Sequence, residues 1–314
     1  MNEIIKRIDS AKHIVVIAHI NPNGDSLGSA SAMYTYLLTL HKKVSFFCVT
    51  KIINPKFSFL PWMQKIRNSF PTSADLAIAL DCVSMSELGT DIKCDIINID
   101  YHPSNSKYAQ FNLVDTDSIS TSQTLCNLFL ENHIFINKKM ATSLYSGLLD
   151  SSNGFMSDTM NSTVFSISNM LIESGAEYKL CNKYIIKYRS LASLRLKALM
   201  FGKMGLFNDA RISLFLVTNE DMQKTGAIRE DCESALAESL YLPTVEIAIL
   251  LLEEKDLSIK GFLHSDSDMD VLKIASLYGG GGDKNRAYFS INNTLVLQDV
   301  SQEILKLINI EIRK

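Results

Sequence analysis

The chain has 314 residues, 46% hydrophobic and 21% charged, which supplies a sizeable core and excludes wholesale disorder. Its length suits two domains. Thirty-one Lys and Arg against 34 Asp and Glu leave a formal charge of -3, without the basic field needed to grip long duplex nucleic acid through its phosphates. An anionic partner is therefore expected to be small or bound at one site.

Six cysteines (Cys48, Cys82, Cys94, Cys126, Cys181 and Cys232) lie far apart with no CxxC pair, the usage of a reduced intracellular protein, and no disulfides are expected. The opening MNEIIKRIDSAKH leads into a short apolar segment without the longer core and cleavage site of a secretory signal. The apolar run from Val245 to Leu252 is interrupted by Glu246 and falls well short of the ~20 residues a membrane span needs. A soluble, cytoplasmic protein without membrane contact is the expectation.

Short β-rich runs alternate with longer helical patterns through the first half: HIVVIAH (13 to 19), VSFFCV (44 to 49), DLAIALD (75 to 81) and CDIINID (94 to 100). Near-continuous apolar strands of this kind are buried on both faces. With helical stretches near 28 to 41, 121 to 132, 138 to 149 and 160 to 174, the pattern predicts an α/β fold with a doubly wound parallel sheet. Between Tyr178 and Asn208 no acidic residue occurs, while Lys179, Lys183, Lys187, Arg189, Arg195, Lys197 and Lys203 supply seven positive charges. The domain connection is placed here, giving domains at 1–177 and 206–314 joined by a basic helical linker at 178–205. Strands near 210 to 217, 245 to 253, 258 to 264 and 287 to 291 predict a smaller mixed α/β domain ending in an amphipathic helix near 300 to 313.

Each polar cluster of the first half follows a buried strand, where parallel α/β sheets bind their ligands. The first is His19-Ile-Asn-Pro-Asn23-Gly-Asp25-Ser-Leu-Gly28-Ser29, whose Asn23 and Asp25 oxygens, with an imidazole nitrogen from His19, could meet at one cation. Asp81 closes the third run, Asp100-Tyr101-His102-Pro103-Ser104-Asn105 follows the fourth, and Asp150 begins Asp-Ser-Ser-Asn-Gly-Phe. Singly, each has an ordinary structural explanation: a strand-end Asp caps helices or makes turns, and Pro22-Asn23-Gly24 reads as a turn. Together they offer carboxylates, a carboxamide and imidazoles for one or two divalent ions such as Mn²⁺, and two-metal sites of this composition hydrolyse phosphoesters.

These motifs resemble those of the DHH phosphoesterases with a C-terminal DHHA1 domain, in particular the NrnA-like branch of oligoribonucleases and pAp phosphatases. Residues 19 to 29 are similar to that family's first motif, Asp81 to its second, Asp100-Tyr101-His102 with Asn105 to the motif that names it, and Asp150 with Gly154-Phe155 to its fourth. The resemblance implies that His19, Asn23 and Asp150 serve one metal, Asp25 and Tyr101 the other, and that Asp81 bridges them. It implies that His102, with Asn105, contacts the substrate phosphate while a metal-bound hydroxide attacks phosphorus. In the second domain, Gly280, Gly281, Gly282 and Asp283 resemble the family's glycine-rich substrate loop, with His264 and Arg286 as further substrate-binding positions. Glycines have their own physical sense there, since absent side chains let backbone N–H groups approach an anion.

The chain departs from the family where it matters for charge. Asn23 stands for an Asp, Tyr101 for a His, Asp283 for a His and His264 for an Arg. A neutral carboxamide holds a hard cation less well than a carboxylate, a phenol ligates only as phenolate, and Asp283 repels an incoming phosphate. Two readings stand: a metal-dependent phosphoesterase of short single-stranded oligoribonucleotides or small nucleotides (pAp, linear dinucleotides) with an altered site, or a degenerate relative that binds a nucleotide or protein partner without turnover. A homodimer is compatible with either.

Overall fold

Parallel strands that lack polar positions must be covered on both faces, and the order in which they pair decides where their ends meet. The computed structural model describes residues 3–292 and 296–312, with side chains of the last helix to 309. The first unit, Met1–Tyr188, opens with α1 (Glu3–Ser10) and β1 (His13–Ala18), then α2 (Gly24–Thr39), β2 (Lys43–Phe47), β3 (Ile66–Arg67), β4 (Leu76–Leu80), β5 (Asp95–Asp100) and β6 (Phe111–Val114). It closes with α3 (Thr121–Glu131), α4 (Lys138–Ser151), α5 (Ser162–Glu173) and the short α6 (Tyr178–Cys181), which runs into a π turn over Asn182–Ile186.

Its six strands pair in the order β3-β2-β1-β4-β5-β6, all parallel. This is the doubly wound sheet that the apolar runs predict. The two edge strands β3 and β6 are additional; they are short and only partly buried, so no apolar run announces them. The strand order reverses between β1 and β4, which makes their carboxyl ends the switch point where such sheets bind ligands.

One sheet face carries the helices, with Ile14, Val16, Ile78, Ile97 and Ile99 packed among Leu27, Met33, Leu37, Leu144 and Leu148. The other face, from Val15, Ile17, Ala77, Ala79 and Ile96, is covered by Leu88, Phe70, Tyr108 and neighbouring loop residues. Helix starts follow side-chain caps: Asn23, Ser120, Asn137 and Asn161 each accept a hydrogen bond from a backbone N–H of the first turn. The Asn23 cap starts α2 four residues before the apolar pattern that marks it from position 28.

Glycines set the contact between α2 and α4. A Cβ on Gly28 would lie 2.6 Å from the Ser143 carbonyl oxygen, and one on Gly147 would lie 1.9 Å from Ser122 Oγ and 2.7 Å from Asp25 Oδ1. The close approach fixes Asp25, in the first turn of α2, against the start of α3, and Asp150, in the last turn of α4, against Gly24.

The second unit, Arg189–Lys314, comprises α7 (Leu191–Gly202), β7 (Gly205–Phe207), β8 (Ile212–Val217), α8 (Asn219–Thr225), α9 (Arg229–Ser239), β9 (Ile247–Glu253), β10 (Ile259–Ser265), α10 (Val271–Leu277), β11 (Gly281–Gly282), β12 (Arg286–Ile291) and α11 (Leu297–Ile312). Position 313 of the expected last helix lies outside the described residues. The strands pair in the order β11-β12-β10-β9-β8-β7, with only β8 and β9 parallel, so this is the mixed sheet expected. Its two faces bury separate cores, one against α10 and α11 and one against α7 and α9.

Candidate metal and phosphate site

Strands β1, β4 and β5 are neighbours, with Ala18 beside Leu80 and Leu80 beside Ile99. Because all three run the same way, the residues that end or follow them, His19, Asp81 and Asp100, come side by side at one edge, about 4.8 Å from strand to strand. Asp81 leaves β4 in the left-handed region, at φ 61°, with its N–H donating to the Ile99 carbonyl at 3.1 Å. That conformation costs a side-chain-bearing residue about 1 kcal/mol or more and turns a buried carboxylate toward its neighbours.

Asp81, Asp100 and His102 each offer a ligand atom, and these atoms lie within 4.8 Å of one another. His102 Nδ1 is 2.8 Å from Asp100 Oδ1 and 3.8 Å from Asp81 Oδ1. His19 Nδ1 sits 2.7 Å from the Ile20 carbonyl; since a carbonyl only accepts, Nδ1 carries the proton and Nε2 faces Asp81 Oδ2 at 3.5 Å. Thr121 Oγ1 donates to Asp81 Oδ1 at 2.9 Å. Asp25 Oδ2 and Oδ1 accept from the N–H groups of Thr121 at 2.7 Å and Ser122 at 2.9 Å, which set the carboxyl group on the N-terminus of α3.

The charges are crowded. Burial, and then the charge of Asp81, push the Asp25 carboxyl up to about 7, even with the Ser122 and Thr121 hydrogen bonds pulling the other way. Burial also acts upward on Asp100, but the hydrogen bonds from His102 and Asn105 bring it below the ordinary carboxylate range. His102 is raised, chiefly by its bond to Asp100, and His19 is raised by Asp81 and the Ile20 carbonyl although burial opposes it. Burial, then Asp25, Asp81 and Asp100, push the Tyr101 phenol far up, so it is held neutral.

The expected residues fall into distinct places. His19, Asp25, Asp81, Tyr101 and His102 converge at the carboxyl edge of the first sheet, with the Tyr101 and His102 rings 4.1 Å apart. Asn105 is buried beneath them, its two Nδ2 hydrogens shared among Asp100 Oδ2 at 2.5 Å, Asn98 Oδ1 at 2.8 Å and the Cys82 carbonyl at 3.1 Å. Asn23 uses its Oδ1 to cap α2, accepting from Ser26 N–H at 2.8 Å. Asp150 accepts from Gly24 N–H through Oδ2 at 2.8 Å, and its Oδ1 pairs with Lys56 Nζ at 3.5 Å.

Two participants, Thr121 and Lys56, are not among the candidate residues of the sequence, whereas Asp100 is one of its strand-end acids. Thr121 had a visible signal, the Ser120-Thr121-Ser122 start of a helix, but nothing linking it to Asp81. Lys56 lies in a loop that carries no motif. Beside the site, Tyr101, Thr116, Ser118, Ser151, Thr159 and Asn161 help line a cavity of about 410 Å³.

In the second unit, His264 and Arg286 stand directly opposite each other on β10 and β12. Asp283 Oδ1 accepts the N–H groups of Asn285 at 2.8 Å and Arg286 at 2.9 Å, closing the turn between β11 and β12. Gly280 and Gly282 are required by contact with β12, since their Cβ atoms would lie 2.1 Å from the Tyr288 carbonyl oxygen and 2.2 Å from that of Arg286. The N–H groups of Gly279 and Gly280 donate to the Ser276 and Ala275 carbonyls. Gly279 to Gly281 line a groove of about 660 Å³ with Arg229, Lys260, Phe262 and the exposed ring of Tyr288. Within this unit Lys197 pairs with Glu238 and Lys203 with Asp221.

Among the described residues no helix is long and apolar enough to cross a membrane. The family model for the DHH family, N-terminal domain, matches residues 13–148, from β1 to near the end of α4. The chain is 24% identical to a bifunctional oligoribonuclease and PAP phosphatase, NrnA, of Mycoplasma genitalium, covering 98% of this chain and 97% of that protein. A crystal structure of an exopolyphosphatase-related protein from Bacteroides fragilis is 21% identical and shares the fold at a TM-score of 0.85, over 99% of this chain and 94% of that one. RecJ from Thermus thermophilus, solved in complex with Mn²⁺, is 12% identical with a TM-score of 0.55, over 98% of this chain and 54% of RecJ. With its parallel sheet and its strand-end acids, the stretch 13–148 is similar to the N-terminal domain of the DHH family.

Proposed function

We propose that this protein is a metal-dependent phosphoesterase that hydrolyses short oligoribonucleotides or small nucleotides such as pAp and linear dinucleotides. The observation that carries the reading is the set of Asp81, Asp100 and His102, with ligand atoms within 4.8 Å of one another at the switch point of the sheet. Two carboxylates and an imidazole, with a second imidazole from His19 facing Asp81, suit a divalent ion of intermediate hardness. The RecJ structure holds Mn²⁺, which makes Mn²⁺ the first ion to supply. When bound, such an ion lowers the pKa of its water and polarises a phosphoryl oxygen.

The chain's own residues would supply the rest. Asp81 is fixed by Thr121 and Asp100 by Asn105, so the carboxylates are set in place before any ligand arrives. His102 turns Nδ1 into the carboxylate pair, and its other ring nitrogen, on the opposite side of the imidazole, is left to donate to a phosphoryl oxygen. Tyr101, held as a phenol, would donate a second hydrogen bond there. In the second unit Phe262 and Tyr288 line a groove with Arg229, Lys260 and Glu233, a mixed aromatic and charged lining that suits a base.

The relative from Mycoplasma genitalium supports this substrate class by its description. The reading of nucleotide binding without turnover is favoured by one observation, the engagement of Asn23 as a helix cap. A single experiment separates them: purified protein with Mn²⁺, Mg²⁺ or Co²⁺, a short oligoribonucleotide or pAp, and Asp81→Ala as control. Metal-dependent release of mononucleotide or phosphate, lost in the variant, is expected. Saturable nucleotide binding with no product from folded protein would establish the binding module instead.

A further inference from the structure

Asp81, Asp100 and His102 gather as one set of ligand atoms, and Asp150 is not part of that set; both of its oxygens are engaged elsewhere. Gly24 N–H donates to Oδ2 at 2.8 Å, and Lys56 Nζ stands 3.5 Å from Oδ1. Asp150 is pressed against the turn so closely that a Cβ on Gly24 would come 2.5 Å from its Cγ.

The backbone N–H of Lys56 donates at 3.0 Å to Oδ1 of Asn54, the residue that caps the short 3₁₀ turn Pro55–Phe57, and its ammonium lies over the Phe57 ring at 4.6 Å. The ion pair is partly buried, with side-chain exposures of 29% and 19%, where solvent screens it less than at an open surface. Asn23, the nearest carboxamide, has its oxygen turned to Ser26 N–H.

We propose that the Lys56 ammonium stands where a second divalent cation would otherwise sit, so that the centre takes a single ion at Asp81, Asp100 and His102 and Asp150 stays outside its coordination. The proposal rests on the metal-dependent reading above. Charge supports it. Asp150 is neutralised by Lys56, Asp25 lies on the N-terminus of α3, and the Asp81 and Asp100 carboxylates balance one dication. A second dication next to Asp150 would meet the Lys56 ammonium, with twice the repulsion that two unit charges feel. It would also find a carboxamide whose oxygen is already bonded.

The test is a count of bound ions by Mn²⁺ titration, followed by electron paramagnetic resonance, which separates an isolated Mn²⁺ from an exchange-coupled pair. Wild-type protein is expected to bind one Mn²⁺ per chain with an uncoupled spectrum. Lys56→Arg, which keeps the charge, should also bind one. Lys56→Met combined with Asn23→Asp should bind two with a coupled spectrum, circular dichroism confirming that this variant folds.

Two ions, or none, in the wild-type chain overturn the proposal without any variant. A folded double variant that still binds one removes Lys56 as the cause and overturns it as well. Failure of the functional reading looks different: one ion bound without hydrolysis refutes the phosphoesterase and leaves this inference standing, whereas two ions with hydrolysis does the reverse.

Discussion

Replacing Gly28 by Ala tests whether the contact between α2 and α4 is as tight as the site requires. In the interior of an exposed helix this exchange stabilises by up to about 1 kcal/mol, because alanine loses less backbone freedom on folding. Here the new Cβ would lie 2.6 Å from the Ser143 carbonyl oxygen and 3.0 Å from Gly147 N, both backbone atoms that cannot rotate aside. Ordinary contact begins at 3.4 Å, so α2 and α4 would have to part by roughly 0.8 Å (3.4 less 2.6) or shift along each other. A gap of that size forfeits about a quarter to a half of the dispersion energy of the facing atoms, and overpacking costs about 1–3 kcal/mol. The steric term wins, for a net loss of about 1–2 kcal/mol. Trp62, the single tryptophan, donates its indole N–H to Thr35 on α2 and packs against Tyr34, so urea unfolding followed by its fluorescence reports on this helix. Gly202→Ala, at a helical glycine with nothing within 4 Å of its Cβ, is the unstrained control. Equal or higher stability of Gly28→Ala, with an unchanged urea slope, would refute the argument.

Two further outcomes follow from single contacts. Thr121→Val removes the hydroxyl that donates to Asp81 Oδ1 at 2.9 Å while keeping the shape; a bond to a charged group contributes about 1.5–3 kcal/mol, so Mn²⁺ affinity measured by calorimetry should fall by roughly tenfold or more, and an unchanged affinity would detach Thr121 from the centre. Burial, then the Arg286 charge, lower His264 to about 4, so between pH 4 and 6.5 the unfolded chain binds a proton that the folded one does not. Its contribution is therefore fully present above about pH 6.5 and is lost as pH falls toward 4. The shift corresponds to about 3 kcal/mol, reduced by its partial exposure to on the order of 2 kcal/mol. In thermal melts, His264→Gln should lose less stability than wild type between pH 7 and pH 4.5, and identical losses would contradict the shift.

The reach of the sequence differs between main chain and side chain for a physical reason. The runs at 13 to 19, 75 to 81 and 94 to 100 are apolar throughout because their strands are buried on both faces, and polar residues at their ends must gather at one edge once the strands pair in parallel. Periodicity therefore identifies the edge where His19, Asp81 and Asp100 meet. Spacing does not reveal which lone pairs the backbone has already taken. Asn23 and Asp25 are two residues apart and look like a pair of ligands, yet one oxygen caps α2 and the other residue spans the N-terminus of α3. The same limit applies to the four glycines, where the backbone of β12 requires the bare Cα of Gly280 and Gly282.

Lys56 marks the boundary most sharply. Nothing in Asn54-Pro55-Lys56-Phe57 signals a site, because its partner is 94 positions away and the pairing exists only once α4 is brought against the turn before α2. A charge that acts through space has no local pattern to betray it. A search for motif residues therefore finds the acids, whose positions are fixed by strand ends, and passes over the cation that decides how many of those acids remain open to a metal. With the Asn23 carboxamide engaged as a helix cap, that count depends as much on Lys56 as on any motif position, which is why ion stoichiometry, rather than activity alone, is the discriminating observable.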